Sequence, residues 1–376
     1  TMQDSHPSEP FSSDELSFLE ELVHAPSPVG SEHAGQEVWC RAMAEICERV
    51  ELDAYGSAAA YLNARDGAPL VMIEAHCDEI GLVVQHITED GYVFVNRLGG
   101  SDSTIARARK VRIHSRGGTV FGVTGHKAIH LQDQKNGGGK EPAWKEIFVD
   151  IGASNRQEAL ERVQVGDPVT YADQFERMGD RHVVGRALDN RLGGFILWNV
   201  IRRLREHRVE LAVRVVAANS VQEEVGGFGA RMLSYRCEPD LALVTDVTHA
   251  TDIPGLDPKE HGLIELGKGP SVQHGGASHP GVVRMLENAA GRADIALQHE
   301  ATSVRTGTDT DSIFHQRKGI PSALVSIPLR YMHSPVEMAH LDDVRGVVDL
   351  MVEVLKGLDA DAVGSVQGRV YRSGGS

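Results

Sequence analysis

The chain has 376 residues, 41% hydrophobic and 24% charged, with a formal net charge of -15 at pH 7. That length supports two domains and at least one large core, and the charge argues against a nucleic-acid partner, which needs a basic face. Four scattered cysteines, Cys40, Cys47, Cys77 and Cys237, form no CxxC pair. Neither a disulfide framework nor a thiolate zinc site is expected, and reduced thiols in a cytoplasmic protein are the plain reading. No secretory h-region stands near the start and no apolar run is long enough to span a bilayer.

Residues 1–9 are polar and read as a mobile end. Ser13 is placed to cap a helix that buries Leu16, Leu19, Leu22 and Val23, and a second helix is expected from Ser31 with Val38, Ala42, Ile46 and Val50 inward. LVMIEAH at 70–76 reads as a strand buried on both faces. From 84 to 183 the texture changes to short β-prone runs punctuated by Gly, Asp and Asn, with a helical period only near 154–163. This stretch reads as a small all-β barrel or sandwich inserted into a discontinuous α/β domain made of 10–83 and 184–360. The polar loop at 131–144 contains GGGK, but Glu141 follows Lys140 where a phosphate loop needs Ser or Thr.

The α/β rhythm then returns. A helix is expected at 190–205, strands at 211–220, 241–247 and 321–327, a short helix at 225–235 and a closing helix at 341–358. Alternation of this kind predicts a mainly parallel sheet with helices on both faces. Residues 361–376 read as a second mobile end.

Potential metal ligands fall at or near the ends of these strands: His76, Glu224, Asp246 and His333, with Asp189 at a helix start. Ligands gather beyond the carboxyl ends of parallel strands, so one topological rule brings these groups to one rim. Two imidazoles, two terminal carboxylates and one bridging carboxylate suit a pair of divalent cations and metal-assisted hydrolysis of a peptide bond. Asp189 can offer one oxygen to each cation. Asp78, two residues beyond His76, can fix the imidazole orientation. If the backbone is extended at Glu223 and Glu224, the two point apart, Glu224 to a metal and Glu223 to a bound water. His114, His130, His182 and His299 fall in no partner pattern and are read as surface groups.

The runs AHCDEIGLVV, EIFVDIGA, VGDPVTY, GRALDNRLGG, QEEVGGFGA, TDVTHATDIPG, LGKGP, GTDTDSI and RYMHSPVEMAHLDDV, spread over about residues 70–345, resemble the M42 family of dinuclear metallo-aminopeptidases. Some members have been labelled glutamyl aminopeptidases or, mistakenly, cellulases. The resemblance implies one metal on His76 and Asp246, a second on Glu224 and His333, and Asp189 bridging. It implies Glu223 as general base and acid, Asp78 as the residue that orients His76, and a cis bond between Asp189 and Asn190. The cofactors would be two divalent ions, Zn2+ or else Co2+ or Mn2+. The substrates would be peptides with a free N-terminus, and Asp309 is a candidate contact for that amine. The β insertion would be a PDZ-like dimerisation domain, with dimers assembling into a tetrahedral dodecamer. Cys77, Gly227-Phe228, Asp311, His274 and His279 depart from the family's usual text and leave the residue preference open.

The alternatives are another dinuclear amidohydrolase, such as a deacylase or carboxypeptidase, and, less favoured, a glycoside hydrolase or a non-catalytic scaffold. A retaining glycosidase needs two carboxyls about 5 Å apart and no metal, whereas here the carboxylates come with two imidazoles.

Overall fold

The computed structural model describes residues 9–62, 67–131 and 141–368, so most of the loop expected at 131–144 lies outside the described residues. Helix α1 (Ser13–His24) is capped one residue earlier than expected. Ser12 and Glu15 form a reciprocal capping box, and Leu16, Leu19, Leu22 and Val23 are buried. Helix α2 (His33–Ala44) buries Gly35, Gln36, Trp39 and Met43 rather than the stripe expected from Val38 to Val50. The inward face is set by Trp39, whose indole N–H donates to the Gly194 carbonyl. Gln36 is tolerated inside because its amide donates to the Gly56 and Asn219 carbonyls.

Strands β1 (Arg49–Leu52), β2 (Ala58–Leu62) and β3 (Leu70–His76) open the large sheet. Six strands then close a separate barrel: β4 (Gly81–Ile87), β5 (Val93–Leu98), β6 (Lys110–Ser115), β7 (Gly118–Thr124), β8 (Phe148–Asp150) and β9 (Pro168–Tyr171), in the order β4-β5-β8-β7-β6-β9. Alternate residues such as Leu82, Val84, Val93, Val95, Val111 and Ile113 point inward and form its own core, joined by Ala159 of helix α3 (Arg156–Leu160). Strands β10 (Glu176–Met178) and β11 (His182–Gly185) pair with the large sheet, not with the barrel.

The chain continues through α4 (Leu188–Glu206), β12 (Arg214–Ser220), α5 (Phe228–Cys237), β13 (Leu241–His249), α6 (Pro258–His261), β14 (Ser271–His274), α7 (Pro280–Ala293), β15 (Gln298–Ala301), α8 (Thr310–Ile313), β16 (Ser322–Arg330), β17 (Glu337–His340) and α9 (Leu341–Gly357). Helix α10 (Ala360–Ser365) follows, with Val363 and Val366 buried in the main core. The mobile end expected from residue 361 is therefore a packed helix as far as Ser365.

The eleven-stranded sheet runs β1-β2-β12-β3-β13-β16-β17-β11-β10, with β14 beside β16 and β15 beyond it. It is mixed rather than mainly parallel. Only β12, β3, β13 and β16 form a continuous parallel block, β14 and β15 are also parallel, and the flanks are antiparallel. The pleat sorts the central strands between two cores. Val71, Ile73, Val215, Leu243 and Val325 pack against α1, α4, α7 and α9 on one face. Leu70, Met72, Val216, Ala242 and Val244 pack against α5 and α8 on the other. Among the described residues no helix is long and apolar enough to cross a membrane.

Candidate active site

His76 closes β3 on the face shared with Met72, and Asp246 lies on the same face of β13, two residues after Val244, which pairs with Glu74. The register therefore sets an imidazole and a carboxylate side by side. His76 Nε2 lies 3.1 Å from Asp189 Oδ1 and 3.5 Å from Asp246 Oδ1. The other oxygen of Asp189 lies 3.4 Å from His333 Nε2, and Glu224 Oε2 is also 3.4 Å from that nitrogen. Two groups that could each hold a metal ion result, His76–Asp189–Asp246 and Asp189–Glu224–His333, with Asp189 common to both. Residues more than 250 positions apart meet because β12, β3, β13 and β16 are parallel and end on one rim.

Asp189 reaches this position from the first turn of α4, where the Asp189–Asn190 peptide is cis and both residues leave helical geometry. The Asn190 amide donates to the Thr245 carbonyl and its oxygen accepts from the Gly193 N–H, which anchors that turn to β13. Ala187, Gln222 and His333, each within two residues of a site position, occupy the left-handed region. Each such non-glycine residue costs about 1–2 kcal/mol, which the surrounding contacts must offset.

The condition of extended backbone at Glu223 and Glu224 is not met. They start a 3-10 turn, Glu223–Val225. Asp78 makes that turn: its two carboxylate oxygens accept from the backbone N–H groups of Glu223 and Glu224 at 2.9 and 3.1 Å. The same carboxylate is 3.4 Å from His76 Nδ1, while the shorter contact of that nitrogen, 3.2 Å, is to the Asp78 carbonyl. Asp78 thus orients the two glutamates as well as the imidazole. Glu223 Oε2 is 3.9 Å from His76 Nε2 and belongs to neither ligand group.

Sequence reasoning missed Glu337. It is 1% exposed, and its oxygens accept from the Asp189 N–H at 3.1 Å and the His333 N–H at 2.9 Å. One carboxylate therefore ties together the backbone of two ligands. The available signal was a lone acid set between the apolar Val336 and Met338. Gly100 was missed as well. It follows the barrel strand β5, and a Cβ there would overlap the His333 ring, so the barrel side of the cleft fixes one imidazole. Asp309 does not stand where a substrate amine could meet it. It is 1% exposed, accepts from the Ser220 hydroxyl at 2.6 Å and faces the wholly buried Glu74; it supports the rim from behind.

The electrostatics of the cage favour cations. Burial opposes charge on His76, but Asp246, Asp189 and Asp78 outweigh it and hold the imidazole pKa well above its ordinary value. Burial likewise opposes charge on His333, yet Asp189 and Glu224 raise it to about 11. Burial pushes Asp189 up, and the two imidazoles more than reverse this. Burial and then Asp189 lift Glu224 to about 7, and burial raises Glu223 and Asp246. Four carboxyl groups crowd two imidazoles and together would outnumber them in charge once ionised, and Glu224 Oε1 is buried without a hydrogen-bond donor. This donor set fits two divalent cations. The groups open onto a cleft of about 960 Å3, whose outer wall includes Gly276, Ala277, Val304, Arg305, Thr306 and Phe314.

With that geometry in hand, the family model for M42 glutamyl aminopeptidase matches residues 56–350. The chain belongs to the M42 aminopeptidase family. It is accordingly an enzyme, a hydrolase of the aminopeptidase class, in a family that depends on metal. It is 34% identical over 349 residues to the lysyl aminopeptidase of Pyrococcus furiosus, covering 91% of this chain and 98% of that one. The TET aminopeptidase of Thaumarchaeota archaeon SCGC AB-539-E09 superposes with a TM-score of 0.89 at 30% identity, over 94% of this chain and 99% of that chain. The TET1 peptidase of Pyrococcus horikoshii, which can assemble into a tetrahedron or a large octahedral shell, matches with a TM-score of 0.80 at 28% identity, over 91% and 99%.

Proposed function

We propose that this M42 enzyme is a dinuclear aminopeptidase that removes the N-terminal residue of peptides. His76 and Asp246 would hold one divalent cation, Glu224 and His333 the other, and Asp189 both. The observation that carries this reading is the placement of the two Asp189 oxygens, one beside each imidazole, with Glu223 outside both ligand groups. Two imidazoles with carboxylates suit Zn2+, and Co2+ or Mn2+ are compatible.

When bound, the pair of cations would supply Lewis-acid polarisation of the scissile carbonyl and acidify a water. Glu223 takes the proton of the attacking water on a carboxylate oxygen and delivers it to the nitrogen of the leaving amine. Asp78 keeps Glu223 and Glu224 at their stations through their backbone N–H groups, and Glu337 does the same for Asp189 and His333. The barrel would be a PDZ-like dimerisation domain, and the resemblance to peptidases solved as a dodecamer and as a tetrahedron supports assembly of the dimers into a tetrahedral dodecamer.

Chelation followed by zinc, cobalt or manganese tests the cofactor: turnover should vanish and return. Paired assays on free-amine and N-acetylated peptides test the exopeptidase reading. Hydrolysis confined to the free amine is expected, and equal hydrolysis of both would replace it with a deacylase or carboxypeptidase.

A further inference from the structure

Among the described residues, one group of metal-ligand type lies outside the cage: His274, Glu287 and His299, whose donor atoms are all within 4.8 Å of one another. Its origin is in the pleat. In the parallel ladder of β14 and β15, His274 pairs with Ala301, and His299 is two residues before Ala301. Both imidazoles therefore project from the same face. Helix α7 crosses that face, burying Val283 and Leu286, and carries Glu287 at the edge of the buried stripe. His299 is thus not the partnerless surface group that the sequence suggested.

We propose that His274, Glu287 and His299 form a third metal site, selective for a borderline cation such as Zn2+. His274 Nε2 and His299 Nδ1 are 2.9 Å apart. Tetrahedral zinc holds such nitrogens at about 2.0–2.1 Å, hence roughly 3.4 Å from each other, a separation that a small rotation of the exposed His299 ring provides. The two rings can share one proton without a metal. That arrangement leaves Glu287 idle, since among the described residues no hydrogen bond or ion pair engages its carboxylate. Two imidazoles and one carboxylate select zinc, nickel or copper over magnesium and calcium, which prefer oxygen.

The position gives the ion a structural consequence. β14 runs on into Gly276 and Ala277, and β15 runs on into the segment containing Val304 to Thr308. Both segments line the cleft. An ion on His274 and His299 ties the roots of the two segments together while leaving the catalytic groups untouched.

Zinc titration of the full chain against a fluorescent zinc indicator tests the site. Three equivalents are expected for the wild-type chain and two for His274→Ala and His299→Ala, each with peptidase activity retained when the cage is loaded. Glu287→Gln should weaken the third equivalent. In a chain carrying His76→Ala and His333→Ala, with folding checked by circular dichroism, one equivalent should survive and disappear when His299→Ala is added. This arm separates the fate of the third site from that of the dinuclear one. Equal zinc counts for the wild-type and His299→Ala chains would overturn the proposal.

Discussion

The floor of the cleft and its outer wall are built on different terms. His76, Asp189 and Asp246 are 2–6% exposed, stand on or beside a four-strand parallel block and are held by further buried groups such as Glu337 and Asp78. Val304, on the outer wall of that cleft, is 82% exposed. Groups that must hold charge in a buried place need their orientation determined from several sides, because an unpaired buried carboxylate is expensive. An exposed wall is released from that demand.

Substitutions on the two sides should therefore differ by orders of magnitude. The largest effect is expected at Glu223. Glu223→Gln keeps the shape of the floor but removes the proposed proton carrier, and kcat should fall roughly 100- to 10,000-fold with metal content unchanged. Kinetics beside metal analysis checks this, and normal turnover would remove the assigned role. Glu337→Gln comes next. Its amide N–H would face a backbone N–H that now has a carboxylate to donate to, and metal affinity should fall about 10- to 100-fold, as read by competition with a chelator. Gly100→Ala pushes a methyl group into the His333 ring. It should weaken the Glu224–His333 cation selectively, so that one equivalent of metal leaves at a lower chelator concentration than the other.

Proton release sharpens the electrostatic side of the comparison. In the metal-free chain Glu224 is raised to about 7, so it is mostly protonated at pH 6 and mostly ionised at pH 8. His333, near 11, is protonated at both. A cation must displace these protons. More protons should be released per chain at pH 6 than at pH 8, and titration calorimetry in buffers of different ionisation enthalpy measures the difference. On the wall, Val304→Ala is expected to shift KM by no more than about twofold, the range of an exposed substitution; a large loss of kcat there would erase the distinction between wall and floor.

The parts of the site that were legible from sequence share a local mark. His76 ends a run of seven buried residues, and Glu223 and Glu224 follow another apolar run, so hydrophobic patterning pointed to each. Glu337 and Gly100 carry no such mark, because their roles lie in backbone donors and ring contacts supplied by distant residues. Asp309 was read as a contact for the substrate amine for the same reason: only the tertiary structure shows it packed against Ser220 and Glu74 and buried. The stripe of α2 was read one position away from the face that Trp39 and Gln36 occupy, since periodicity alone could not foresee two buried amide bonds.

Local sequence alone located β3, β12, β13 and β16 to within about three residues, the helices α1, α4 and α9, and the chemistry-bearing residues that follow the strands, because hydrophobic period and burial are properties of short segments. Tertiary structure decided the antiparallel flanks of the large sheet, the closure of the barrel, the turn at Glu223–Val225 and the pairing of His274 with His299. Those outcomes depend on strand order and on contacts between segments far apart in the chain, and no window of residues contains both partners.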